Sequence, residues 1–388
     1  MGTTVQTITD TVSLLASADT WIEGKAIQQL IKTSELENIR WVAGMPDLHP
    51  ARGYPIGAAF FSEEKIYPAL IGNDIGCGMS LWQTSLKTSK ANPDRMAKKL
   101  TEIEQSLDSS WNEYIQRCKQ HKNIRNDDFD HALGTIGGGN HFAEFQCLDT
   151  VYDEQTLQQL GLDKKQLQLL VHSGSRGLGQ SILTKHVTEH SHQGLRTDTD
   201  AFQHYLNEHD EAVRWAELNR TLIARRFIEA LRTDGKPVLD INHNLMVNRT
   251  IKGSSGWLHR KGATPSDQGY VIIPGSRGDY SYLVSPLTEN NAAPSEEKHL
   301  YSLAHGAGRK WQRGNCADRL SHKYKREDLQ KTKFGSLVIC NNKELLYDEA
   351  PQAYKKCESI IADLVDAGLI RVIARLRPVL TFKTNGGC

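Results

Sequence analysis

Apolar residues recur at helical spacing in four stretches of the chain; elsewhere they gather in short runs bounded by glycine, proline or asparagine. Between Trp21 and Leu36, apolar Ala26, Ile27 and Leu30 predict a first helix. Residues 93–109 read as an exposed amphipathic helix, with Pro93 near its start and Met96, Leu100 and Ile103 on one face. The strongest helical pattern covers 211–231, where Trp215, Leu218 and Leu222 fall at i, i+3 and i+7 and predict packing on a sheet. A fourth helix is expected after Asp348 as N-cap, with Pro351 in its first turn, Tyr354, Cys357, Ile361 and Leu364 on its apolar face, and Gly368 ending it.

The short runs predict strands. Trp41 to His49 reads as a short strand ending in a turn, and Arg52 to Phe61 returns to β-like sequence. Tyr67 to Ile71, Met79 to Trp82, Leu167 to Val171, Val238 to Asn244 and Tyr270 to Ile273 follow, with a closing strand from Leu369 to Lys383. Leu303 to Arg309 is expected to open a short helix, and Lys323 to Lys333 is a basic, polar surface segment. Trp111 to His131 is too polar and charged to place. Repeats, low-complexity linkers and composition breaks are absent, so residues 1–388 are expected to form one integrated domain.

Composition narrows the class. With 388 residues, 38% hydrophobic and 24% charged, the chain is of soluble globular type, and it has no apolar run long enough to span a membrane. The N-terminus lacks the basic and apolar regions of a signal peptide, and Met1-Gly2 is not followed by a myristoylation pattern. Seven scattered cysteines (77, 118, 147, 316, 340, 357 and 388) without a CxxC pair suit reduced thiols in a cytoplasm. A net charge of +1 argues against a long non-specific grip on duplex, so any nucleic-acid contact needs a local basic patch.

The candidate chemistry begins at Leu70-Ile-Gly-Asn-Asp74-Ile-Gly-Cys77-Gly78, a carboxylate and a thiol framed by glycines. Such a pair suits a metal centre of mixed hard and soft ligands. His141, His172, His243 and His305 share its design, an apolar strand that runs into a glycine- or asparagine-rich turn bearing a ligand-type side chain. Each histidine alone is accounted for as a structural residue. One thiolate, one carboxylate and three imidazoles together suffice for two metal ions sharing the sulfur, an arrangement suited to phosphoryl chemistry. Ligand softness favours zinc or iron. Arg176, Arg260, Lys261, Arg277 and Arg309 beside glycine-rich turns point to an anionic ligand, although P-loop and dinucleotide fingerprints are missing. His305, set among glycines beside an arginine, is a candidate nucleophile for a phosphoryl or nucleotidyl group.

These segments carry a resemblance. Met45-Pro-Asp47-Leu-His49, Asp74-Ile-Gly-Cys77-Gly78, Gly-Asn140-His141-Phe-Ala-Glu144, His172-Ser-Gly-Ser-Arg176-Gly177, Asn242-His243-Asn244, His259-Arg-Lys-Gly-Ala-Thr264, Pro274-Gly-Ser276, His305-Gly-Ala-Gly-Arg309, Asp348-Glu-Ala-Pro351 and Ala374-Arg-Leu-Arg-Pro378 occur in the order found in the RtcB family of RNA-splicing ligases. The resemblance covers about residues 20–383. It implies an α+β fold of central sheets flanked by helices around a metal-centred active site, and a ligation that depends on GTP and Mn2+. By the same resemblance, Asp74, Cys77 and His141 bind one manganese, Cys77, His172 and His243 bind a second, and Cys77 bridges them. His305 takes GMP from GTP, oriented by Asp47. Asn140, Glu144, Ser276, Ser281, Gly306, Ala307, Gly308, Arg309 and Lys383 hold the nucleotide, and Arg176 holds RNA phosphate. The implied reaction joins a 2′,3′-cyclic phosphate or 3′-phosphate RNA end to a 5′-hydroxyl end, in repair or splicing of transfer or ribosomal RNA.

Four features depart from the family pattern: Pro50-Ala-Arg52-Gly-Tyr54, the charged Arg277 and Asp279 after Pro274-Gly-Ser276, a length shorter than that of many members, and the residues beyond Lys383. They bear on the choice of RNA. The competing reading is a dinuclear metal phosphodiesterase that opens cyclic phosphate ends without ligating; the intact His305-Gly-Ala-Gly-Arg309 speaks against it.

Overall fold

The computed structural model describes residues 5–100, 103, 105–287 and 296–383. Two sheets dominate. The first has six strands in the order Val5–Thr9, Val12–Leu15, Ile39–His49, Ile56–Ser62, Ser254–Lys261, Asn244–Ile251. The second runs Gly235–Asn242, Gly78–Lys87, Gln166–Ser173, Phe142–Val151, Ile370–Phe382, Ser281–Pro286, Val271–Ile273, with Leu337–Ile339 added in parallel to Ile370–Phe382.

Side-chain alternation along the strands makes a layered core. Ala43, Ala59 and Phe61 of the first sheet share one buried cluster with Met79, Leu81, Leu170 and Ile241 of the second, so these faces pack together. The opposite face of the first sheet, with Val12, Leu14, Val42 and Phe60, is covered by Ala26 and Leu30 of the helix Gly24–Ser34. Trp82, Phe145, Leu169 and Val171 on the outer face of the second sheet meet Ile223 and Phe227 of the long helix Asp200–Ala230. Each fully buried aromatic or aliphatic side chain contributes about 1.5–3 kcal/mol relative to exposure. The result is the expected α+β arrangement of sheets flanked by helices.

Several boundaries differ from expectation, each for a local reason. The long helix begins at Asp200, where the Thr199 hydroxyl caps the N–H of Phe202. The first helix covers only Gly24–Ser34. Helix Pro93–Leu100 is shorter than 93–109; Met96 and Leu100 are buried as expected, and part of the remainder lies outside the described residues. Tyr67 to Ile71 is not a strand: Pro68 lacks the N–H a ladder needs, and Pro68–Leu70 makes one 3-10 turn.

Leu303 to Arg309 does not open a helix. Ser302–Ala304 pairs with Ala263–Pro265, and the glycines after His305 carry a turn. Asp348 ends the helix Lys343–Asp348 instead of capping the next, Pro351–Ala353 is a 3-10 turn, and the following helix is Cys357–Asp366. Gly368, at φ +71°, turns the chain just past that helix. The unplaced 111–131 region contains the helix Asn112–Lys122, and the basic surface segment contains the short helix Arg326–Leu329. No helix among the described residues is long and apolar enough to cross a membrane.

Candidate active site

The site lies where the two sheets meet. Strand order explains its assembly. Gly235–Asn242, Gly78–Lys87, Gln166–Ser173 and Phe142–Val151 are adjacent and mutually antiparallel. Alternate strands therefore bring a C-terminal end and an N-terminal start to the same edge of the sheet. His243 just past the first strand, Cys77 just before the second, His172 near the end of the third and His141 just before the fourth thus fall side by side. His172 pairs with both Met79 and Phe142, and Asn242 pairs with Gly78. The expectation that an apolar strand precedes each ligand-type residue holds for His172, His243 and His305; Cys77 and His141 instead open their strands.

Two ligand groups result, Asp74/Cys77/His141 and Cys77/His172/His243, each with its donor atoms within 4.8 Å of one another, and Cys77 is common to both. Cys77, His141, His172 and His243 are buried. Cys77 Sγ is 3.3 Å from Nε2 of both His141 and His172. His172 and His243 approach at 3.4 Å between Nε2 atoms, and His141 Nε2 lies 2.8 Å from Asp74 Oδ2.

Hydrogen bonding sets two of the imidazole tautomers. His141 Nδ1 donates to the Ile136 carbonyl at 3.1 Å and His172 Nδ1 to the Asn140 carbonyl at 3.3 Å. Their Nε2 lone pairs then face a sulfur, a carboxylate and another imidazole. Acceptors crowded against acceptors suit cations between them, so the residues present fit a pair of metal ions.

Electrostatics agree with that donor set. Burial, and beyond it the Asp74 carboxylate, push the Cys77 thiol well up. A divalent cation reverses this by stabilising the thiolate. Burial and the neighbouring histidines hold His172 far below the usual imidazole range, and burial does the same for His243; neutral imidazole is the form that ligates. Burial would raise Asp74, but its neighbours, His141 first among them, outweigh it and keep the carboxyl ionised.

One buried side chain ties these segments together. Arg220 of the long helix donates to the carbonyls of Gly76 at 2.7 Å and Ser173 at 3.0 Å, and to Asn242 Oδ1 at 2.6 Å, with Asp240 as its counter-charge. These acceptors adjoin Cys77, His172 and His243. Sequence reading gave Arg220 no role, because an arginine in a helical pattern reads as surface.

His305 stands beside the cluster, its ring centroid 4.9 Å from that of His243. Asp47, in the strand Ile39–His49, is fully buried. Its Oδ2 lies 2.6 Å from His305 Nδ1 and accepts the backbone N–H of His305 at 3.2 Å. The side-chain contact is close, but it does not meet the geometry of a hydrogen bond. With Nδ1 turned to Asp47, Nε2 is the nitrogen left for the cavity. Lys355 Nζ donates to the Pro46 and Leu48 carbonyls and clamps the backbone on either side of Asp47. Two glycines allow the approach: a Cβ on Gly262 would lie 2.8 Å from His305 Cε1, and one on Gly308, at φ +68°, would overlap the Asp47 carbonyl.

The cavity in front of His305 holds about 950 Å3. Asp74, Cys77, His172 and His243 line it, as do Asn140, Glu144, Ser276, Lys383 and the turn Gly306-Ala307-Gly308-Arg309. Ser281 lies behind the wall, where its hydroxyl accepts from Gln146 Nε2 at 2.8 Å; Gln146 also donates to Glu144 at 2.6 Å. Burial pushes Glu144 up to about 7, against its bonds from Thr381 and Gln146. Arg176 is outside the cavity lining. It precedes the helix Gly177–His190, and its charge reaches Asp74.

Sequence reading also missed the carboxylate that organises the far wall. Buried Glu349 contacts Arg309 and Arg313, both at 3.1 Å, and Lys383 at 3.9 Å, and accepts from the Tyr354 hydroxyl. Tyr354, expected on a helix face, is instead extended and bridges to Arg309.

Comparison with known proteins agrees with this geometry. The family model described as tRNA-splicing ligase RtcB matches residues 29–132 and 108–384. RNA-splicing ligase RtcB2 from Escherichia coli (strain ATCC 25922) is 52% identical, over 100% of this chain and 99% of its own length. RNA-splicing ligase RtcB of Escherichia coli K12 is 29% identical over 93% of this chain and 95% of its own. The tRNA-splicing ligase RtcB of Nanoarchaeum equitans is 28% identical over 93% and 92%. With its motifs in order and a Cys77-sharing pair of ligand groups beside His305, the chain belongs to the RtcB family.

Proposed function

We propose that the protein is an RNA ligase that joins a 3′-phosphate or 2′,3′-cyclic phosphate end to a 5′-hydroxyl end, using GTP and two Mn2+ ions. The observation that carries this reading is the Asp47–His305 pair, held beside the shared-cysteine cluster at the head of a cavity of nucleotide size. Asp74, Cys77 and His141 would hold one ion, and Cys77, His172 and His243 the other. The ions would supply charge neutralisation at the phosphoryl oxygens.

The chain's own groups account for the remaining steps. Asp47 keeps the proton of His305 on Nδ1, so the Nε2 lone pair attacks the α-phosphorus of GTP and pyrophosphate leaves. Asn140, Glu144, Ser276, the Gly306–Arg309 turn and Lys383 bind the nucleotide, with Ser281 supporting Glu144 through Gln146. A 2′,3′-cyclic phosphate end is first opened by water to a 3′-phosphate and a free 2′-hydroxyl; GMP then passes from His305 to the 3′-phosphate, and a 5′-hydroxyl bonds to that phosphorus as its bond to GMP breaks and GMP leaves. Arg176, near Asp74, holds RNA phosphate. A purely hydrolytic use of the cluster would leave the Asp47–His305 pair without a task.

The test is incubation with α-labelled GTP and Mn2+. An acid-labile protein–GMP adduct, absent in His305→Ala, is expected; failure of the wild-type protein to form it overturns the reading.

A further inference from the structure

Asp47 sits on a stretch of strand that belongs to no ladder. Ile39–His49 pairs with Val12–Leu15 as far as Gly44, and with Ile56–Ser62 as far as Gly44 and again at His49. The buried residues Met45 to Leu48 are left out of both and face the single Gly57, a bulge. Gly57, at φ +85°, makes room: a Cβ there would lie 2.9 Å from Asp47 Oδ1 and from the Leu48 backbone. Buried carbonyls that leave a ladder need other donors. Side chains supply them. Lys355 Nζ donates to the Pro46 carbonyl at 2.8 Å and the Leu48 carbonyl at 3.3 Å, and His49 Nδ1 donates to that of Asp47 at 2.9 Å.

Lys355 also holds the other half of the pair. Its backbone N–H donates to the Gly308 carbonyl at 3.0 Å, on the turn that begins at His305. One residue, only 6% exposed, therefore joins the bulge carrying Asp47 to the turn carrying His305. It does not line the cavity. Burial pushes Lys355 down to about 8, against the pull of Asp47 and Asp363, which leaves it charged at neutral pH. Neutral donors would satisfy two carbonyls without desolvating an ammonium. The charge is accounted for by the residue between those carbonyls, Asp47, whose fully buried carboxylate leaves Oδ1 without a hydrogen bond.

We infer that Lys355 is a positioning residue for the transfer of GMP to His305: by fixing the bulge and facing its charge it holds the Asp47 carboxylate on Nδ1 and keeps the ring proton there. The inference rests on the reading that His305 takes GMP from GTP. In that step a bond forms from Nε2 to the α-phosphorus while the bond from that phosphorus to pyrophosphate breaks, and the proton stays on Nδ1. The ring gains positive charge as it reacts, and Asp47 faces that charge. Misplacing Asp47 therefore slows the step more than it weakens binding of the nucleotide.

The test uses Lys355→Gln, which keeps a donor without the charge, and Lys355→Met, which removes both, each alone and combined with Asp47→Asn. Single-turnover labelling with α-labelled GTP is measured beside equilibrium GTP affinity and bound Mn2+. Labelling is expected to slow about tenfold in Lys355→Gln and further in Lys355→Met. GTP affinity and metal content should stay within about twofold of wild type, and on Asp47→Asn either substitution should add less than about threefold, because Lys355 acts through that carboxylate. Losses that multiply in the double variants, GTP affinity and metal content that fall in parallel with labelling, or labelling at the wild-type rate overturn the inference. Nitrogen NMR of isotope-labelled histidine in the metal-free protein reads the same point without the reaction. The His305 signal, identified by its absence in His305→Ala, should show the proton on Nδ1 in wild type and lose that preference in Lys355→Met, or in Lys355→Gln if the methionine variant does not fold. A wild type that forms no adduct sinks the ligase reading, and the NMR still decides on Lys355: an unchanged tautomer overturns its role and a changed one sustains it.

Discussion

Asp47 Oδ2 approaches His305 at two points, 2.6 Å from its ring Nδ1 and 3.2 Å from its backbone N–H, although the residues are 258 positions apart in the chain. The carboxylate thus fixes both ring orientation and the backbone that carries the ring. Asp47→Asn keeps the shape but can present its amide N–H to Nδ1 and favour the wrong tautomer. His305 guanylylation should slow by about a hundredfold or more, the range found when a partner that orients a catalytic imidazole is removed. GTP affinity should change little. Single-turnover labelling measured beside equilibrium binding separates the two; an unchanged labelling rate would refute the orienting role.

Cys77 is common to both ligand groups, whereas His141 and His243 each belong to one. Cys77→Ala should therefore lose both manganese ions. His141→Ala and His243→Ala should each retain about one under limiting metal. Metal-to-protein ratios from mass spectrometry of dialysed samples give the answer, and a Cys77→Ala protein that keeps two ions would rule out the shared ligand.

Arg220 holds carbonyls beside Cys77 and His172 and the Asn242 side chain beside His243. Arg220→Lys retains the charge but cannot span these acceptors. Manganese affinity should fall about 10–100-fold, as for loss of other groups that orient ligands. Competition with a fluorescent chelator measures it. The loss should greatly exceed that of Arg214→Lys, whose Nη2 only reaches the Asn123 carbonyl at 3.4 Å.

Glu144 and Lys383 predict a pH window for nucleotide binding. Burial places Glu144 at about 7, and burial, against the pull of Glu349, places Lys383 at about 8. Glu144 accepts best when ionised, so GTP affinity should rise through about pH 7. Lys383 loses its charge above about 8, where affinity should fall again. For the free protein the Glu144 contribution has the opposite sense. Its folded value lies above the ordinary 4.5 of a free glutamate, so this contribution to stability declines as pH rises from 4.5 through about 7. Glu144→Gln should flatten the acidic limb of the binding profile and remove that decline. Titrations across pH 5.5–9.5 (about four decades of proton activity) test both, and a wild-type profile flat through pH 7 would count against the Glu144 assignment.

Much of the site could be found from local pattern. Asp74, Cys77, His141, His172, His243 and His305 all lie within two residues of a glycine or asparagine, and the structure brings them together. Local reading failed where a remote partner overrode propensity. Tyr354 has the spacing of a helix face, yet its hydroxyl is claimed by Glu349 and its backbone by Arg309. Helix Asp200–Ala230 starts eleven residues before the expected 211, because its first turns carry polar residues while burying only Phe202, Tyr205 and His209.

The sequence by itself determined which side chains were available: one thiolate, one carboxylate, their histidines, and the strand and helix periods that bury each segment. Those are properties of a few neighbouring residues, and local spacing records them. Tertiary structure alone decided that four antiparallel strands present their ends at one sheet edge, that Arg220 spans three ligand segments, and that Lys355 joins the strand of Asp47 to the turn of His305. Such relationships join residues up to hundreds of positions apart, and their energy comes from strand register and shared burial, which no local window of the chain contains.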